Sequence, residues 1–144
     1  MHVIRRDTDY AIRGLLHLAR SNGRRLSCTT LARVCNVPRS FAHKILRRLT
    51  TARIVNSCTG RSGGFALNRP PEAIHLSHVV NAIQGSIAIS RCVVNPRVCS
   101  LSDGCPLSTK WYELQSRIVQ FLENTTLQDV LQHSESPARK PGQR

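Results

Sequence analysis

The sequence predicts a mainly α fold with one small β-hairpin, on three observations. Apolar residues recur at helical spacing in three consecutive segments within the first 51 residues. Two short strand-like runs follow around a glycine-rich, basic tip. Late in the chain, Leu107, Trp111, Leu114, Ile118 and Phe121 alternate by four and three, the spacing of a heptad seam. Together these specify a winged helix-turn-helix with a small β-hairpin wing, plus a long dimerisation helix.

The first helix carries Tyr10, Ala11, Leu15, Leu18 and Ala19 on its stripe, with Thr8 or Asp9 available as N-cap and Asn22-Gly23 as the stop. A second, short helix starts near Ser27, puts Leu31, Val34 and Cys35 on one face and ends at the turn Asn36-Val37-Pro38, because a proline ring cannot continue a helix. The third follows at once, with Phe41, Ile45 and Leu49 as its stripe and Leu46 beside it. That packing leaves Arg39, His43 and Arg47 as an i, i+4, i+8 row flanked by Ser40 and Lys44. Two helices joined by a tight turn, the second with a basic outer face, is the arrangement that lays its second helix in the major groove of DNA. A merely solvated helix face has the same composition.

Ile54-Val55-Asn56 and Phe65-Ala66-Leu67 read as the two strands of the wing, joined by Ser57 to Gly64. Arg61 at the tip suits a narrow minor groove, where the negative potential is greatest. Gly63 and Gly64 serve either close approach to phosphates or only the turn. Asn68-Arg69-Pro70-Pro71 links to a helix capped by Ser77, with Val79, Val80 and Ile83 inward and Gly85 as its stop. Pro106 opens the long helix, and Thr126-Leu127-Gln128-Asp129 resembles a capping box for a last turn through Leu131. The expected organisation is residues 1–84 as the DNA-reading domain, 85–132 as a cysteine loop and dimerisation helix, and 133–144 as a disordered Pro-, Gly- and charge-rich tail.

The charge balance narrows the partners. The 144 residues include 21 Lys plus Arg against 8 Asp plus Glu, a net charge of +13, which favours a polyanion. Aromatics make up only 4%, too few for stacking on single-stranded bases, so duplex DNA fits better. No stretch reaches the roughly 18 apolar residues of a membrane span and the N-terminus lacks a signal-peptide core, so the expected location is the cytoplasm. Phosphate-loop, Ser-His-Asp and zincin patterns are all missing from the sequence, and no enzyme is expected.

Six cysteines in a reducing compartment point to ligands, redox sensors or small core residues rather than disulfides. Three of them, Cys92-x6-Cys99-x5-Cys105, form a loop directly before the long helix. The spacing is not the paired C-x2-C of zinc ribbons, and Cys105-Pro106 has the Cys-Pro pairing that often closes a cluster-binding run. Three such thiols hold an iron–sulfur cluster, hold zinc, or form a metal-free redox switch.

The order Thr8-Asp9-Tyr10-Ala11-Ile12-Arg13, winged helix, Gly60-x-x-Gly63-Gly64, three-cysteine loop and Thr126-Leu127 resembles the Rrf2 family of bacterial transcription regulators over roughly residues 1–132. That family includes iron–sulfur sensors of cluster assembly, of nitric oxide and of iron. The resemblance implies that Cys92, Cys99 and Cys105 are cluster thiolates and that the protein is a homodimer on a palindromic operator, acting as a repressor. It also matches Asp9 to a carboxylate ligand given by the partner subunit, while Ser108 stands where the cluster-assembly regulator has a histidine ligand. A site of three Cys and one Asp, favouring a [4Fe–4S] over a [2Fe–2S] cluster, is therefore expected, with nitric oxide as the leading signal. Asp9 is equally placed to N-cap the first helix.

Overall fold

A computed structural model of the chain describes residues 3–95, 97 and 104–134. Helix α1 spans Arg6–Arg20, α2 Cys28–Val34 and α3 Arg39–Thr51. Strands β1 (Val55–Cys58) and β2 (Gly64–Leu67) pair antiparallel, from Val55 opposite Leu67 to Cys58 opposite Gly64. A 3-10 turn at Pro71–Ala73 leads to α4 (Leu76–Ile83), the short α5 (Arg91–Val94), α6 (Pro106–Asn124) and α7 (Leu127–Ser134). This is the expected mainly α winged helix.

The core is one cluster. Leu15, Leu49, Ile54, Ile74, Val79 and Leu127 lie at its centre, each at most 1% exposed. The end of the chain closes it, since Leu76 N–H donates to Thr125 O and Leu127 N–H to Ile74 O, both at 2.9 Å. The capping box is formed in full. Thr126 N–H donates to Asp129 Oδ2 at 2.8 Å and Asp129 N–H to Thr126 Oγ1 at 3.1 Å.

Several local expectations shift. Helix α1 starts earlier than its proposed caps, with Arg5 as N-cap, because the Thr8 hydroxyl is committed to Gln84 Oε1 at 2.7 Å and fully buried. Asp9 thus lies inside α1 and does not cap it. Helix α2 starts where expected, with Ser27 as its N-cap accepting from Thr30 N–H at 3.0 Å, but Leu31 and Ala32 face inward while Val34 is 44% exposed. Helix α4 begins after His75 rather than at Ser77, since His75 is held extended in a bridge with Thr126. The wing gains a third edge that the sequence did not disclose: Leu26 and Phe65 exchange N–H···O bonds of 2.9 Å in both directions. Helix α7 reaches Ser134, so residues 133 and 134 of the tail expected at 133–144 are helical instead, and residues 135–144 lie outside the described residues.

Candidate nucleic-acid interface and metal centre

Helix α3 divides its side chains cleanly. Ala42, Ile45, Leu46 and Leu49 are buried, and Arg39, Ser40, His43, Lys44 and Arg47 are all exposed. The helix is aimed by its neighbours: Asn36 takes a left-handed turn at φ 53°, and Val37 N–H donates to Ala32 O at 2.9 Å. Phe41 packs edge-to-face on Tyr10, ring centroids 5.8 Å apart, which locks α3 against α1. Arg48, the residue after Arg47, faces the other way, donating to Ile83 O at 2.8 Å and lying 3.5 Å from Asp7.

The wing sits beside this face. A groove of about 200 Å³ between α3 and β1 is lined by His43, Arg47, Thr50, Ser57 and Phe65. Arg61 is exposed at the tip, and Arg25, which sequence reasoning passed over, reaches the turn end of β2 to donate to Gly64 O at 3.3 Å. The two wing glycines have internal reasons. A Cβ on Gly63 would collide with Cys58 O, and Gly64 has φ 140° with its missing Cβ position 2.8 Å from Leu26 O. Turn closure and the bridge to Leu26 therefore account for both glycines.

The cysteine loop is clamped to α6 at its start. Gln115 donates to Ile87 O at 2.7 Å and accepts from Ile89 N–H at 3.1 Å, and Tyr112 Oη donates to Cys92 O at 3.0 Å. Cys92 is half-buried in α5 with Sγ 3.1 Å from Ser90 Oγ. Cys105 is the N-cap of α6, and its side chain makes no capping hydrogen bond. Ser108 spends its hydroxyl on Cys105 O at 2.7 Å. Both thiols are free, and Cys99 lies outside the described residues.

Asp9 is exposed on α1 and pairs with Arg13 at 3.0 Å. Among the described residues no three of His, Cys, Asp or Glu converge, so one protomer does not gather Asp9 with Cys92 and Cys105. The other cysteines stand apart. Burial pushes the Cys35 thiol up, partly offset by Arg13, which suits a small core residue rather than a ligand. Cys28 lies half-buried beside α3 and Cys58 is exposed on β1.

A reading helix with a basic face, a basic wing and a thiol-bearing loop define the class: a winged-helix DNA-binding transcription regulator. The chain belongs to the Rrf2 family, described as an iron-dependent transcriptional regulator, whose profile matches residues 4–133. A relative from Aquifex aeolicus (strain VF5), bearing the name of an HTH-type transcriptional regulator, is 30% identical over 124 residues, 85% of this chain and 86% of that one. The solved structure of CymR, the global cysteine regulator of B. subtilis, superposes with a TM-score of 0.77 at 23% identity, covering 92% of this chain and 98% of that one. T. potens IscR superposes at 0.71 with 20% identity, covering 95% and 93%. These likenesses confirm the fold. The family's members are regulators rather than enzymes. No helix among the described residues is long and apolar enough to cross a membrane.

Proposed function

We propose that this chain is a homodimeric, cytoplasmic repressor whose grip on a palindromic operator is set by a [4Fe–4S] cluster held by Cys92, Cys99 and Cys105 of one protomer and Asp9 of the partner subunit. The observation that carries the reading is that one small core bears both an exposed basic reading helix with its wing and a loop bracketed by the free thiols of Cys92 and Cys105. In this division residues 1–84 read DNA, 85–132 sense and pair, and 133–144 form the tail. Arg39, His43 and Arg47, flanked by Ser40 and Lys44, face the major groove, and Arg61 meets the minor groove.

The donor set suits the group. Thiolates are soft ligands for iron, and Cys105 sits half-buried at the N-cap of α6. Asp9 is held only by an exposed i,i+4 pair with Arg13, an interaction of about 0.3–0.5 kcal/mol, so its carboxylate is cheaply released to a ligand role. When bound, the cluster supplies a thiolate–iron centre with one carboxylate-held corner open to small molecules, for which nitric oxide is the proposed signal. The chain's own part is mechanical. Tyr112 and Gln115 tie the loop to α6, and the exposed α6 seam of Leu107, Trp111, Leu114 and Phe121 is the surface for a second copy.

The Cys92 Sγ contact with Ser90 Oγ at 3.1 Å favours a second reading, a metal-free thiol switch on the same loop. Anaerobic reconstitution separates the two. The cluster reading expects blue-violet absorption with bound iron and sulfide, abolished by Ala at Cys92, Cys99 or Cys105. Colourless, iron-free protein leaves the thiol switch, and bound zinc replaces both. Gel shifts of loaded protein with nitric oxide beside an iron chelator test the signal: release by the chelator alone makes it iron.

A further inference from the structure

A groove of about 670 Å³ runs between the N-terminus of α1 and the start of α3. It lies on the flank of α3 away from the wing, because His43 and Thr50 line the wing side whereas Phe41 and Lys44 line this one. Its cations are Arg5, Arg6 and Lys44. The single carboxylate in its wall, Asp7, is already engaged by Arg5 at 2.7 Å and Arg48 at 3.5 Å. Arg6 is different: it makes no ion pair among the described residues. Its guanidinium lies 5.8 Å from the Tyr10 ring centroid and donates to Tyr10 Oη at 3.2 Å. Tyr10 is in turn braced edge-to-face by Phe41 of α3. Arg6 is thus a pre-positioned fork of donors, unanswered by acid, at a fixed offset from the reading helix. Lys44 carries the positive strip onward into a second groove of about 500 Å³ shared with Arg47, Arg48 and Thr51.

We propose that this groove seats the phosphodiester backbone of one DNA strand, with Arg6 as its principal donor and Arg5 and Lys44 beside it. The inference rests on the DNA-binding reading and extends it. A helix lying in a major groove about 12 Å wide has a phosphate wall on either side. The wing with Arg61 attends one wall, and the α1 groove attends the other. Phosphate contacts fix register without reading sequence, so Arg6 sets where α3 enters rather than which base it prefers.

The test is anisotropy of the full chain with a mixed-sequence duplex of about 30 bp, titrated from about 50 to about 200 mM salt. Arg6→Gln is expected to weaken binding and to reduce the slope of log affinity against log salt by about 0.9 for each protomer bound. Arg6→Lys, which keeps the charge, retains the slope, and Arg117→Gln on α6 leaves both affinity and slope unchanged. Where Arg6→Gln also lowers the melting temperature through its lost Tyr10 contact, Lys44→Gln decides, with the same expected drop in slope. A parental slope in the Arg6→Gln, Lys44→Gln double variant, while Arg47→Gln still loses affinity, overturns the groove and leaves the DNA-binding reading standing. A parent chain that does not bind duplex at all removes both.

Discussion

Arg47 and Arg48 are adjacent and chemically identical, yet one faces solvent and the other donates to Ile83 O and approaches Asp7. The i, i+4, i+8 row was legible because helical spacing depends only on local sequence. The partners of Arg48 were not, because Asp7 and Ile83 come from distant parts of the chain. The same holds for Gln84, which accepts from the Thr8 hydroxyl at 2.7 Å and from Arg5 N–H at 2.9 Å and donates to Val3 O at 2.9 Å. Gln84→Leu removes all three contacts, leaving the fully buried Thr8 hydroxyl without its partner, and is expected to cost about 1–3 kcal/mol in urea unfolding. Thr8→Val leaves Gln84 Oε1 still paired with Arg5 N–H, so its loss is expected to be smaller. Equal losses would mean that the Gln84 contacts to Arg5 and Val3 add nothing.

At the scale of elements, helix existence and apolar faces were readable, and boundaries moved where a distant strand or hydroxyl competed for the cap. The wing shows this best: its two runs were found, but the Leu26 edge that makes Gly64 obligatory is invisible to a local reading. Gly64→Ala forces a side chain into φ 140° against Leu26 O, with an expected cost of about 1–3 kcal/mol and a displaced wing, read by melting and by weakened duplex binding. The capping box of α7 predicts a loss of about 0.5–2 kcal/mol for Thr126→Ala. The start of α4 predicts a pH effect. Burial first, then Arg69 and His75, hold His78 below the ordinary value of 6.5, and its Nδ1 accepts His75 N–H at 3.3 Å. A base with a depressed folded pKa takes up its proton more readily in the unfolded chain. Its contribution is therefore complete above pH 6.5 and is lost as pH falls below it towards the folded value. Melting temperatures of His78→Asn are expected to fall less than those of the parent between about pH 7 and about pH 5. Parallel curves for the two proteins would rule this out.

For the whole molecule, the heptad spacing announced a seam, and the structure leaves most of it exposed among the described residues: Leu107, Trp111, Leu114 and Phe121 are 54%, 36%, 42% and 65% exposed. Ile118 breaks the set by packing against the core, a distinction that periodicity alone does not make because one helix face serves two surfaces. The cysteine loop was likewise legible as a set of thiols but not as a site, since Cys92 and Cys105 meet no third donor among the described residues and Asp9 lies on another helix. The exposed seam and the proposed ligand set, with Asp9 given by the partner subunit, both invoke a second copy. That gives a selective test, because Leu114→Asp places a charge in the proposed interface without touching the core, whereas Ile118→Asp sets a charge against the core and is expected to destabilise the fold as well. Leu114→Asp is expected to sediment as a folded monomer with a parental melting profile. It should keep the salt-dependent hold of one reading head on duplex DNA while losing the tighter grip on a palindrome, whose half-sites about 34–36 Å apart require two heads at fixed spacing. In the same variant the proposed ligand set predicts a more labile cluster on anaerobic reconstitution, because a monomer would lack the partner's carboxylate while keeping all three thiols. A stable cluster in a proven monomer would place the fourth ligand within one chain and return Asp9 to its surface pair with Arg13.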